Sequence, residues 1–281
     1  MKLLRWGSPG AEKPGLMDDL GHIRDLSDIV SDIDGHTLEP EALAKLTALD
    51  PHTLPILHGQ HRIGPCVARP LNFVCIGLNY ADHAAETGAR IPKEPIIFLK
   101  SLGAYSGPYD DVKIPRGSTK TDWEVELGVV IGARASYVTE NTAMDHVAGY
   151  CVVNDVSERE FQTERGGTWD KGKGCDTFGP TGPWMVTRDE VPDPQNLAIW
   201  LDVDGQRMQN GSTGTMIFGV RALVAYVSHF ISLHPGDIIA TGTPAGVGMG
   251  KKPEPVYLRP GQVMRLGIQG LGEQQQTLVA A

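Results

Sequence analysis

The sequence predicts an α+β fold that is mainly β: a mixed sandwich or barrel-like roll of many short strands around one prominent helix. Three observations lead there. From Asn72 onward, short apolar runs alternate with Gly/Pro turns in no regular βαβ series. The 34 Gly and 20 Pro among 281 residues exceed the average combined share of about 12%, without any repeat or low-complexity tract. Only one long stretch carries sustained helical periodicity.

Taken in order, Lys2–Trp6 reads as an edge strand. The stretch from Pro40 to Leu46 reads as a helix with Pro near its start and Leu43, Leu46 and Leu49 at helical spacing. Together they suggest a small N-terminal α+β domain over residues 1–68. Pro51, Pro55, Gly59, Gly64, Pro65 and Pro70 then punctuate the chain, placing a linker near Ile63–Pro70 and a larger domain over residues 69–281. Strands are expected at Phe73–Ile76, Ile96–Leu99, Val125–Ile131, Tyr150–Val153, Trp184–Val186, Ile199–Val203, Asp237–Ala240 and Val263–Gly267. The long helix is expected over Thr215–Ser232, with Ile217, Val220, Leu223, Val224 and Val227 on one face.

A net charge of −9 with no basic cluster argues against a nucleic-acid partner. The longest apolar stretch, Ala222–Leu233, is interrupted by Ser228, His229 and Ser232 and is too short to span a membrane. Cys66, Cys75, Cys151 and Cys175 form no CxxC pair. With no apolar leader before them, they are expected as reduced thiols in a cytoplasmic protein.

Trp123-Glu124-Val125-Glu126-Leu127 is the most informative segment. Strand periodicity puts Glu124 and Glu126 on one face and Trp123, Val125 and Leu127 on the other. Two adjacent carboxylates repel unless a cation lies between them. Asp155, where the apolar run Tyr150–Val153 breaks, offers a third. An all-oxygen set calls for a hard ion, Mg²⁺ first, then Mn²⁺ or Ca²⁺; a solvated strand face carrying alternate Glu fits the same residues. His83 and Glu86 stand at i, i+3 in a helix-forming run after Tyr80, where a carboxylate can orient an imidazole as a general base; a plain surface pair fits too. Lys173 sits in a turn-dense loop, placed either to neutralise an enolate or carboxylate or simply to face solvent. The glycine-rich run after Ile238-Ile239-Ala240, Thr241 to Gly248, could hold a carboxylate on backbone N–H groups or be an ordinary tight turn. It is no nucleotide loop, because position 245 is Ala and position 252 is Lys.

The ordered set Gly77-Leu78-Asn79-Tyr80-Ala81-Asp82-His83, Phe98-Leu99-Lys100, Glu124-Val125-Glu126 through Gly132, Asn154-Asp155-Val156-Ser157, Gly172-Lys173 and Thr241 through Gly248 resembles the fumarylacetoacetate hydrolase family, across about residues 70–267. The resemblance implies that family's mixed β-sandwich roll and a divalent cation held by Glu124, Glu126 and Asp155. It also implies a His83–Glu86 dyad on a lid helix, Lys173 facing the reacting carbons, and Arg159, Gln162, Lys100 and Thr243 toward substrate. The N-terminal Asp34-Gly35-His36-Thr37-Leu38-Glu39-Pro40 is similar to a bacterial subgroup that contains 2,4-diketo-3-deoxy sugar-acid hydrolases of L-rhamnonate and L-fuconate breakdown. That subgroup also carries ureidoglycolate lyase labels. The expected reaction is hydrolysis of the C3–C4 bond of a 2,4-dioxo acid. His83 would activate water, while Lys173 and the cation stabilise the pyruvate enolate that leaves. An acylpyruvate hydrolase or oxaloacetate decarboxylase, and a non-enzymatic carboxylate-binding scaffold, remain open. A tail pocket is expected around residues 86–92 and 161–170, with Trp169 as an apolar contact and Gln162 or Arg165 as a polar one. A homodimer or higher homo-oligomer follows from the same resemblance.

Overall fold

The short apolar runs form strands, and a computed structural model describing residues 1–281 assembles most of them into two packed sheets. The strands are β1 (Lys2–Trp6), β2 (Lys13–Met17), β3 (Ile23–Asp25), β4 (Phe73–Gly77), β5 (Ile96–Leu99), β6 (Tyr105–Ser106), β7 (Val112–Ile114), β8 (Thr121–Asp122), β9 (Val125–Ile131), β10 (Val147–Asn154), β11 (Ser157–Glu158), β12 (Gly179–Thr187), β13 (Ala198–Val203), β14 (Gln206–Ser212), β15 (Ile238–Ala240), β16 (Val263–Ile268) and β17 (Gly272–Ala280). The α-helices are short: α1 (Gly35–Leu38), α2 (Pro40–Thr47), α3 (Ala81–Thr87), α4 (Arg159–Thr163), α5 (Asp170–Lys173) and α6 (Val220–Ser228).

The larger sheet runs β3-β2-β1-β12-β10-β9-β15-β4-β5, with β6 added beside β12, and the smaller runs β14-β13-β16-β17-β7. The β15–β4, β12–β6 and β17–β7 pairs are parallel and the rest antiparallel. This is the mainly-β α+β architecture expected from the sequence.

Strand β9 explains how the core and the site share one segment. Val125, Leu127, Val129 and Ile131 enter the core between the sheets, beside Leu201, Met264 and Leu266. Val130 joins Leu3, Leu38, Phe73 and Cys75 in a second core on the other face. Glu126 shares the Val130 face by the two-residue repeat, and Glu124 lies just before the strand on the same side.

Two elements differ from the sequence expectation. Lys2–Trp6 is no edge strand, because β1 pairs with β2 on one side and β12 on the other. The helix expected over Thr215–Ser232 is only α6, preceded by a 3₁₀ turn at Thr213–Thr215. Asn79 is the cause. Its backbone carbonyl accepts from Ile217 N at 2.7 Å, its side-chain oxygen accepts from Phe218 N at 2.8 Å, and its amide donates to Phe218 O at 3.0 Å. Those groups are held outside the helical ladder, so the helix begins after Gly219, whose backbone is extended.

Candidate active site

The Gly77–Tyr80 segment leaves the end of β4 and launches α3, which carries His83 and Glu86. Both face inward: His83 is buried, with Nδ1 3.4 Å from Glu86 Oε2. Glu86 accepts from Gly246 N at 3.0 Å on each oxygen, which seats the carboxylate on the loop after β15. Burial pushes the Glu86 pKa up, but the His83 and Gly246 hydrogen bonds outweigh it and hold the group below the usual carboxylate range.

Across the cavity, Glu124, Glu126 and Asp155 are all buried, and one oxygen from each lies within 4.8 Å of the others. Asp155 arrives because β10 pairs with β9, and Asp155 N donates to Glu124 O at 2.8 Å. Glu124 is ion-paired with Arg159 Nη2 at 2.7 Å and Lys173 Nζ at 2.7 Å. Burial raises its pKa, yet Lys173 and Arg159 together bring it down to about 2. Asp155 is ion-paired with Lys173 Nζ at 2.8 Å and Lys100 Nζ at 2.5 Å. Glu126 is in no ion pair and accepts only from Gly242 N, at 2.8 Å. Its pKa stands well above the usual value, first through burial and then through repulsion from Asp155 and Glu124.

This donor set fits a hard divalent ion. It is three carboxylates with no Cys or His, and Glu126 has no ion-pair partner, its charged form disfavoured by burial and by Asp155 and Glu124 until further positive charge is present. Asp155 Oδ1, although beside Lys100, accepts no well-directed hydrogen bond.

The remaining expected residues fall at graded distances from this centre. Arg159, Gln162, Trp169, Lys173 and Thr243 line one cavity of about 200 Å³ with His83, Glu124 and Glu126. Arg159 donates from Nη1 to Gln162 Oε1 at 3.1 Å. The Thr243 hydroxyl donates to Val125 O at 2.8 Å and accepts from Gln209 at 2.7 Å. Lys100 lies behind Lys173, donating to the Lys173 carbonyl at 2.7 Å and the Val156 carbonyl at 3.2 Å, and is not on the cavity wall. Arg165 is exposed and paired with Glu160 at 2.8 Å, outside the cavity. Trp169 meets Phe98 edge to face at 5.2 Å and lies across Gly77, where a Cβ would sit 2.4 Å from the indole, so only glycine lets the ring close this wall. Ile76, Leu78, Phe98, Met249, Thr87 and Thr163 complete much of the lining. Thr87 and Thr163 fall within the expected tail-pocket spans, whereas no local pattern in the sequence distinguishes Met249 from a core residue.

Comparison with known proteins agrees with this geometry. A family model, the C-terminal region of fumarylacetoacetate (FAA) hydrolase, matches residues 72–279. A protein of Burkholderia multivorans, described no further than as a hydrolase, is 64% identical over 100% of both chains. The solved fumarylacetoacetate hydrolase of Exiguobacterium antarcticum superposes with a TM-score of 0.87 at 34% identity, covering 100% of each chain. Maleylpyruvate hydrolase from Sphingobium sp. SYK-6, solved with manganese(II) ion and pyruvate, gives a TM-score of 0.82 at 28% identity over 100% of each chain.

Proposed function

We propose, from the premise that this chain belongs to the fumarylacetoacetate hydrolase family, that it hydrolyses the C3–C4 bond of a 2,4-dioxo acid with an uncharged tail. The preferred substrate is 2,4-diketo-3-deoxy-L-rhamnonate or its L-fuconate counterpart, split to pyruvate and lactate. The observation that carries the reading is one cavity lined by a carboxylate-oriented histidine and by Glu124 and Glu126, two of three convergent carboxylates whose third member is the buried Asp155.

A divalent cation, Mg²⁺ by preference, held by Glu124, Glu126 and Asp155 would supply positive charge for the C1 carboxylate and C2 carbonyl oxygens. His83, with Nδ1 engaged by Glu86, takes a proton at Nε2 from water as its oxygen adds to C4. The C3–C4 bond then breaks with its electron pair left on C3, and a proton delivered to C3 completes pyruvate. Lys173 contributes charge rather than base catalysis: burial alone would ease its deprotonation, but Asp155 and Glu124 hold the ammonium firmly protonated. Arg159, Gln162 and Thr243 are assigned to the dioxo-acid head, and Lys100 to support of Asp155 and Lys173.

The cavity lining supports an uncharged tail over a second carboxylate such as that of maleylpyruvate. The only cations lining the cavity, Arg159 and Lys173, are both committed to Glu124 at the metal end. The rest of the lining includes Ile76, Leu78, Phe98, Trp169 and Met249, with the hydroxyls of Thr87 and Thr163. A methyl-bearing hydroxylated tail matches that mixture. An acylpyruvate with a short apolar tail is the second reading, favoured by the same five apolar residues. Incubation with Mg²⁺ and each of the sugar-acid substrate, 2,4-dioxopentanoate, maleylpyruvate and oxaloacetate, with pyruvate assayed, tests it. Turnover is expected for the first two, and preference for maleylpyruvate would sink the neutral-tail assignment.

A further inference from the structure

Asp122, two residues before Glu124, is fully buried, and its carboxylate serves two places at once. Oδ1 accepts from Trp123 N at 2.8 Å and Gly248 N at 2.7 Å, while Oδ2 accepts from Met249 N at 2.9 Å and Arg159 Nε at 2.8 Å. The β8–β11 ladder, which sets Ser157 opposite Asp122, brings the Arg159 end of α4 within reach. On the other side the bonded loop, residues 246–250, is the one on which Glu86 rests. The neighbouring Trp123 pins the start of that loop, donating from Nε1 to Gly246 O at 3.1 Å. At its end Gly250 packs so closely that an added Cβ would fall 2.4 Å from Glu86 Cδ.

We propose that Asp122 and Trp123 are positioning residues that hold the 246–250 loop as a fixed seat for Glu86, and thereby for His83, while Asp122 ties that seat to the carboxylate cluster through Arg159. The loop has no strand or α-helix of its own beyond a short 3₁₀ turn at Gly248–Gly250, so these side chains supply the order that a ladder supplies elsewhere. Helix α3 has no side-chain cap at its N-terminus and no basic residue in its last turn. Its contact with the loop through Glu86 therefore fixes the helix as well as the imidazole. The catalytic part of this inference rests on the reading of His83 and Glu86 as the base; the seating part does not.

Hydrogen–deuterium exchange on the full chain tests the seating. In Asp122→Asn, amide exchange in residues 246–250 and in α3 should accelerate together, by about tenfold or more, while β9 and β10 keep their protection. Acceleration in the loop with α3 unchanged overturns the proposal, as does a uniform rise across the molecule. Should that variant not fold, Trp123→Phe, which removes the indole donor to Gly246 while keeping an aromatic ring in the core, is expected to give the same paired acceleration, and unpaired acceleration there overturns it equally. The catalytic consequence is read with 2,4-dioxopentanoate and Mg²⁺. Asp122→Asn should lower kcat on the order of tenfold or more in the parent, but less than about twofold in a Glu86→Gln background. Equal factors in both backgrounds would mean a merely structural role and refute the coupling. An unchanged kcat in Glu86→Gln alone overturns the base assignment and with it the catalytic role given to Asp122, whereas unpaired exchange alongside an impaired Glu86→Gln overturns the seating alone.

Discussion

The Lys173 ammonium lies 2.7 Å from Glu124 Oε2 in the buried interior, so this carboxylate has a counter-charge within the protein itself. Lys173 bridges the same charge to Asp155 at 2.8 Å. Lys173→Met should therefore leave Glu124 with Arg159 alone and Asp155 with Lys100 alone, and destabilise the metal-free protein by about 1–3 kcal/mol, measured by urea denaturation. Millimolar Mg²⁺ should restore part of the loss. Stability unchanged in the absence of metal would mean that the pair is not the counter-charge described.

Glu126 makes the opposite prediction, because it is in no ion pair. Burial and the neighbouring Asp155 and Glu124 already favour the neutral form of Glu126 in the metal-free protein, so the Glu126→Gln protein should melt at the same temperature or higher, by ~2 °C or more for each kcal/mol gained. Calorimetric titration should show Mg²⁺ and Mn²⁺ affinity reduced about 10²-fold or beyond measurement. Retained affinity would move the metal away from this cluster.

His83 should separate chemistry from metal binding. In His83→Ala, kcat on an active dioxo acid is expected to fall about 10²–10⁴-fold, while metal affinity stays within a few-fold. A kcat within a few-fold of the parent would place the base elsewhere.

A pH prediction comes from the N-terminal region, where buried Asp18 is ion-paired with Arg24 at 2.7 Å and accepts from His22 N at 2.7 Å. Burial raises the Asp18 pKa, but the His22 hydrogen bond and Arg24 prevail and bring it from 3.8 to about 2. A carboxyl with a depressed folded pKa contributes stability that is fully present above its unfolded value and lost as pH falls through the folded one. Acid titration of the parent should thus show a loss between about pH 4 and 2 that Asp18→Asn lacks; parallel curves would refute the assignment.

Much of the site was legible because its residues are close in sequence and obey local periods. Glu124 and Glu126 follow the strand repeat, His83 and Glu86 the helical one, and Asp155 marks the break after an apolar run. What the sequence could not disclose depends on pairings far apart in the chain. The partners of Asp122 at Gly248 and Met249 are 126 and 127 residues away. Strand β17 was missed because Glu273-Gln274-Gln275-Gln276 reads as polar, yet Gln274 and Gln276 are buried. Their amides donate to Val152 O at 2.7 Å and Pro108 O at 2.6 Å respectively. The long helix was overdrawn because its apolar period continues through residues that Asn79 removes from the ladder.

The place of β1 inside the larger sheet has a practical consequence for anyone shortening this protein. Leu3 and Leu4 are fully buried, and the strand is registered on β12 through Lys2 with Val186 and Leu3 with Met185. A recombinant fragment begun at residue 69 would strip that partner away and bare the backbone of β12, a raw margin of the kind that recruits other chains. Such a fragment should precipitate or gel where the polypeptide of residues 1–281 stays dispersed, and supplying the missing first 68 residues as a separate peptide should rescue it.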